Sequence, residues 1–210
     1  MNYYSYATLE NSVSRETREA LRYYATVLQK WQNTINLVSK DSLNTLAKRH
    51  FLDSWQLVSL FPCNISTHLD LGSGGGFPGL IIAIAFQYEL QKTLRTFLIE
   101  SDKRKAVFLK KVVRDLELKN TNVIAKRVEE LKEPQADIFT ARAFTSLDQC
   151  LRITKHLRKN SSYFILPKGI NVQDEIKKAR QNWFFELQSN ASITDAHASI
   201  LTLTQVKEIE

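Results

Sequence analysis

His68-Leu69-Asp70-Leu71-Gly72-Ser73-Gly74-Gly75-Gly76-Phe77-Pro78-Gly79 is the stretch whose reading decides the fold. A short apolar run enters a glycine cluster, and a second apolar run, Leu80 to Phe86, leaves it. The chain has six glycines, and five of them fall between positions 72 and 79. Glycine is required where the backbone turns with positive φ or approaches a ligand closely. Pro78 suits the first turn of a following helix. The stretch therefore reads as strand, glycine turn, helix. In an open α/β sheet such a turn lies at the carboxyl edge of the strands, where ligands bind.

Downstream, short apolar strands alternate with helices. Strands are expected at His68–Leu71, Thr96–Glu100, Asn122–Ala125, Asp137–Thr140 and Tyr163–Leu166. Helices are expected near Pro78–Tyr88, Asp102–Leu116, Val128–Lys132, Ser146–Arg158 and Val172–Ala179. Alternation of this kind predicts a parallel sheet covered by helices on both faces. Two further strands, Trp183–Leu187 and Ser199–Val206, follow without a clear helix between them and suggest an antiparallel hairpin at one edge. The fold class is α/β, with the outline of a class I S-adenosylmethionine-dependent (Rossmann-like) methyltransferase sheet. Upstream, apolar residues recur every three or four positions at Ala20, Tyr24, Val27, Leu28 and Trp31, and again from Leu43 through Phe51 and Trp55 to Val58. Asp41 or Ser42 is a plausible N-cap for the second helix, and Pro62 closes it. Residues 1–62 thus read as a helical extension packed on a domain at 63–210.

The 210 residues are 43% hydrophobic and 24% charged, which is globular, and can bury one ordinary core. The run Leu80 to Phe86 is too short to span a bilayer, and Met1 to Glu10 lacks the pattern of a signal peptide. Cys63 and Cys150 lie far apart and outside any metal-like or redox-like cluster. A cytoplasmic monomer with reduced thiols, no membrane contact and no metal is expected. The net charge of +7 favours a polyanionic partner. Lys103, Arg104, Lys105, Lys110, Lys111 and Arg114 share one expected helix, either as a solvated face or as a track for phosphates.

The ligand of the glycine turn is narrowed by its neighbours. Gly74 to Gly79 satisfies G-x-G-x-x-G, so a dinucleotide is a rival. Asp70 sits inside the strand, where a carboxylate suits the amino end of S-adenosylmethionine better than a pyrophosphate. Pro78 removes an N–H that a phosphate would want. Glu100 ends the next strand and suits the two ribose hydroxyls of either cofactor. A P-loop is excluded because no G-K-[ST] follows.

Several ordered stretches make the chain similar to the ribosomal RNA small subunit methyltransferase G family. They include Lys30-Trp31-Gln32-Asn33-Thr34-Ile35-Asn36-Leu37, Arg49-His50-Phe51-Leu52-Asp53-Ser54, the glycine stretch, and Leu98-Ile99-Glu100-Ser101-Asp102-Lys103-Arg104. Arg127-Val128-Glu129-Glu130, Arg142-Ala143-Phe144-Thr145-Ser146-Leu147 and Lys168-Gly169 complete the set. The resemblance implies methylation of N7 of one guanine in 16S ribosomal RNA, on the small subunit or an assembly intermediate, with S-adenosylmethionine as donor. It implies cofactor contacts from Gly72 and Phe77, an adenine wall at Val128 and Glu129, and Arg142 reaching the cofactor or the base; Asp70, Gly74 and Glu100 are expected at the cofactor beside them. Arg142, Lys168 and Asp53 are expected to position the reactants. Arg49, His50, Lys103 and Arg104 are expected at the RNA. The chain departs from the family in its acidic end, Val206 to Glu210, and in the glycine at 75. Two alternatives remain at this point, an NAD-type oxidoreductase and a non-catalytic RNA-binding protein on the same fold.

Overall fold

The computed structural model describes residues 9, 11–39 and 47–209. Helix α1 (Arg15–Gln32) begins where the Ser14 hydroxyl accepts from the Thr17 amide at 3.2 Å, a standard N-cap. Its stripe Leu21, Tyr24 and Leu28 is fully buried. A run of uneven turns follows: a π-helical Ala47–Leu52, a short α-helical Asp53–Trp55 and a 3-10 turn at Val58–Leu60. One continuous helix was expected here, ending before Pro62. The N-cap expected at Asp41 or Ser42 lies outside the described residues.

Strand β1 (Thr67–Leu71) is buried at all five positions. It is followed by helix α2 (Gly79–Ile84), which widens into a π turn at Ala85–Glu89. Strand β2 (Arg95–Ile99), helix α3 (Lys103–Asp115), strand β3 (Thr121–Ile124) and strand β4 (Ala136–Ala141) come next. Helix α4 (Leu147–Ile153), strand β5 (Arg158–Lys168), helix α5 (Val172–Ala179), strand β6 (Trp183–Ala191) and strand β7 (Ser199–Glu208) complete the chain. The expected helix Ser146–Arg158 ends early. Its last residues form a 3-10 turn, and Arg158 already begins β5.

The seven strands form one sheet in the order β3-β2-β1-β4-β5-β7-β6. β1 pairs in parallel with β2 and β4, and only β7 runs antiparallel to its neighbours β5 and β6. The expected parallel sheet with a terminal hairpin is therefore what the chain forms. The chain reverses direction across the sheet between β1 and β4, and that switch point opens a crevice at the carboxyl edge. One apolar cluster joins α1, α2 and α3, including Leu28, Leu80 and Phe108. A second large cluster joins the opposite sheet face to α4, α5 and Trp183. The N-terminal helix is thus part of a core it shares with the helices that flank the glycine turn. Among the described residues, no helix is long and apolar enough to cross a membrane.

Candidate active site

The glycine turn forms the floor of a cleft of about 1120 Å³, lined by Gly72 to Gly75, Phe77 and Glu100 from the sheet edge. Gly72 has φ +63°, and a Cβ there would lie 2.3 Å from Cδ2 of Phe144. Only glycine allows that ring to rest on the turn. The turn is fastened from outside the sheet as well. The Tyr24 hydroxyl on α1 donates to the Gly75 carbonyl, and the Tyr24 ring lies 5.3 Å from both Phe51 and Phe77.

Asp70 differs from the expectation. It is fully buried beneath the turn and is not among the residues lining the cleft. Its Oδ1 accepts from the Thr140 hydroxyl at 2.6 Å, and its Oδ2 lies unpartnered against Gly79. Burial pushes this carboxyl up to about 6, held back chiefly by the Thr140 hydrogen bond. A Cβ on Gly79 would sit 2.5 Å from Oδ2, so glycine is what leaves room for the carboxylate beneath the start of α2. The strand is covered by the turn it precedes, and a side chain pointing inward at its last turn has no route to solvent. Because Thr140 donates to Asp70, its oxygen accepts from Nε2–H of His68 at 2.8 Å. His68 is therefore packed within a buried polar chain.

Glu100, expected as the last residue of its strand, follows β2 directly and lines the cleft. Its Oε2 accepts from the Gly74 amide at 2.8 Å and its Oε1 from the Asp102 amide at 2.7 Å. A carboxylate oxygen has a second acceptor site, so both oxygens can still take a hydroxyl. Arg104 pairs with Asp102, the N-cap of α3, at 3.2 Å.

Arg142 ends the opposite wall, just past β4. Its guanidinium donates to the Arg49 carbonyl at 2.9 Å, contacts Nδ1 of His50, reaches Asp53 at 3.5 Å and lies over the Phe77 ring at 5.1 Å. His50 stacks on Phe77 with centroids 4.9 Å apart. Burial, reinforced by Arg142 and Arg49, lowers His50 to about 3. Asp53 also accepts from the Thr194 hydroxyl at 2.6 Å, which ties down the loop between β6 and β7. Thr194, Asp195 and His197 of that loop line the cleft. Sequence reading missed them, because a hairpin loop folding over a distant turn leaves no local pattern. Tyr24 was missed for a similar reason, since its position in the apolar stripe of α1 conceals its hydroxyl.

Val128 and Glu129 lie together in a smaller cavity of about 220 Å³, which shares Gly72, Ser101 and Phe144 with the cleft. Lys168 faces a third cavity, where it pairs with Glu175 at 2.7 Å and donates to the Thr145 carbonyl at 3.0 Å. Lys103 and Arg104 are exposed on α3, away from these walls. Lys111 and Arg114 of the same helix are tied to Asp115. Among the described residues, no three His, Cys, Asp or Glu side chains gather as a metal site.

These walls fit an S-adenosyl nucleoside better than a dinucleotide. The cleft that holds Arg142 and Glu100 adjoins the Val128 cavity through Gly72, Ser101 and Phe144, and such connected spaces suit an amino acid joined to a nucleoside. A pyrophosphate would need the start of α2, where Pro78 offers no N–H and the Asp70 carboxylate already lies against Gly79.

The family model described as rRNA small subunit methyltransferase G matches residues 17–204. A ribosomal RNA small subunit methyltransferase G from Cereibacter sphaeroides is 39% identical over 198 residues, covering 94% of this chain and 95% of that protein. The one from a Ruegeria species is 41% identical over 202 residues, covering 96% and 97%. Among solved structures, a SAM-dependent methyltransferase from Aquifex aeolicus aligns with a TM-score of 0.59 at 13% identity, covering 85% of this chain and 97% of that one. A S-adenosyl-L-methionine-dependent methyltransferase from Methanococcus maripaludis, described as putative, gives 0.59 at 11%, covering 100% and 98%. At these identities the two structures speak for the fold.

Proposed function

This chain belongs to the rRNA small subunit methyltransferase G family, and from that membership we propose that it methylates N7 of one guanine in 16S ribosomal RNA, with S-adenosylmethionine as donor. The observation that carries the reading is the cleft itself. The glycine turn, the Glu100 carboxylate and the Val128–Glu129 cavity lie in sequence along one edge of the sheet. Gly72, Gly74 and Phe77 would bound the amino acid part of the donor, Glu100 its ribose, and Val128 and Glu129 its adenine. Asp70 lies buried beneath the turn.

S-adenosylmethionine supplies an electrophilic methyl group. Guanine N7 carries a lone pair and no proton, so no side chain has to remove one. The cleft matches that demand. His50 is held neutral with Nδ1 facing Arg142, and Asp53 is engaged by Thr194 and Arg142. Neither is free to act as a base. What the protein contributes is placement, which alone is worth several kcal/mol of a bimolecular barrier. Arg142, anchored at three points, fixes the wall between donor and acceptor. Arg49, exposed at the cleft mouth, and Lys103 and Arg104 on α3 would meet RNA phosphates.

Incubation of the purified chain with labelled S-adenosylmethionine and small-subunit RNA tests this. The expected result is label released as N7-methylguanine. Absence of label in both naked RNA and intact small subunits would overturn the proposal.

A further inference from the structure

A third cavity, of about 1080 Å³, lies beside the cleft across the loop that follows β4. It shares Asp53, Arg142, Ala143, Phe144 and Ala198 with the cleft, and Phe144 and Thr145 with the Val128 cavity. Among the described residues, only Phe144 lines all three. The residue before it, Ala143, is held at φ +49°, an uncommon conformation that turns the loop just ahead of the ring. One edge of that ring rests on Gly72, where a Cβ would be 2.3 Å away.

The Phe144 loop is fixed to a charged pair. Lys168 donates to the Thr145 carbonyl at 3.0 Å and to Oε2 of Glu175 at 2.7 Å. The same Oε2 accepts the Leu147 amide at 2.8 Å. Both bonds fall on one oxygen, so Oε1 remains as an acceptor at the cavity wall. An ammonium beside a carboxylate is the complement of the Watson–Crick edge of guanine, which offers O6 as acceptor and N1–H and N2–H as donors. Adenine presents the reverse polarity at its first two positions. A base read on that edge leaves N7 uncovered on the other side of the ring.

We propose that this third cavity receives the acceptor guanine, stacked on Phe144 with its Watson–Crick edge toward Lys168 and Glu175. The inference rests on the proposed function and adds to it the place and the reading of the base. A flipped base needs a ring or apolar face to replace the stack it leaves, and Phe144 is the ring that borders donor and acceptor spaces alike.

The test compares wild type, Phe144→Leu, Phe144→Tyr and Glu175→Gln on small-subunit RNA carrying guanosine or inosine at the modified position. Binding of S-adenosylhomocysteine is measured by calorimetry in parallel. Inosine keeps N7, O6 and N1–H and lacks only the 2-amino group. Phe144→Leu should lower kcat/KM for RNA roughly 5- to 100-fold, the range of one lost base–aromatic stack, well beyond any change in S-adenosylhomocysteine affinity, and Phe144→Tyr should retain the rate. Wild type should prefer guanosine over inosine roughly 10- to 150-fold, as expected of one lost hydrogen bond to a charged group, and Glu175→Gln should narrow that gap. An unchanged rate in Phe144→Leu, a loss that merely follows S-adenosylhomocysteine affinity, or equal use of inosine would overturn the inference while leaving the methyltransferase reading in place. A wild type that labels no guanosine would overturn both.

Discussion

The hydroxyl of Tyr24 on the N-terminal helix donates to the carbonyl of Gly75 in the glycine turn, across 51 positions of sequence. Both groups are buried. The turn is therefore held by an element outside the sheet that builds it. Tyr24→Phe leaves the Gly75 carbonyl unsatisfied, which costs about 1–3 kcal/mol. Thermal denaturation should show Tm lower by roughly 2–4 °C for each kcal/mol lost. Calorimetry should show weaker S-adenosylhomocysteine binding, because the floor of the cleft loosens. Unchanged values in both measurements would remove α1 from the site.

Gly72→Ala is expected to be far worse than Gly169→Ala. At position 72 a Cβ meets Phe144 at 2.3 Å in a left-handed backbone, whereas at 169 nothing lies within 4 Å. The left-handed conformation alone costs about 1–2 kcal/mol, and displacement of the ring adds to it. Denaturation of the two variants side by side checks the difference. Gly169→Ala should unfold with wild type, and Gly72→Ala several degrees earlier.

Asp70 makes the folded chain weaker at neutral pH. Its folded-state pKa of about 6 lies above the ordinary 3.8. The stabilisation it gives is fully present below the ordinary value, where the carboxyl is neutral in both states. It is lost as pH rises through 6. The difference corresponds to about 3 kcal/mol at most. Asp70→Asn, which can still accept from Thr140, should keep or raise Tm at pH 7.5 and flatten the decline between pH 4 and 6. A large drop in Tm at pH 7.5 would mean that the ionised form is the one the fold needs.

His50 should stay neutral throughout the working range. Burial, with Arg142 and Arg49 nearby, lowers its folded-state pKa to about 3 from 6.5. Its contribution to stability is present above 6.5 and is lost as pH falls from there through 3. Ring nitrogen shifts in an NMR titration should stay fixed from pH 8 to 5, with Nε2 carrying the proton and Nδ1 facing Arg142. Titration near 6.5 would show that the contact with Arg142 is broken in solution.

The strands around the glycine turn were legible because each is a short apolar run bounded by polar punctuation. β1, β2, β3 and β4 begin and end within one residue of the expected limits. The helical expectation failed at Arg158, where β5 starts five residues early. Its first half, Arg158 to Ser162, carries the polar residues of a sheet edge and offers no apolar pattern. Glu100 and Arg142 reach the cleft because they directly follow strands, and Phe77 because it lies in the turn after β1. Asp70 shared that logic and still came out buried, since alternation along β1 fixes which face a side chain takes and not what later covers it. The hairpin loop at Thr194 to His197 and the hydroxyl of Tyr24 depend on tertiary docking alone. Nothing near them in sequence announces a site.

The most direct test of the central claim is mass spectrometry of small-subunit ribosomal RNA from cells with and without this protein. N7-methylguanine should occupy one position in the first sample and be missing from that position in the second. It should return with the wild-type chain and not with Gly72→Ala. An identical modification map in the two samples would contradict the account.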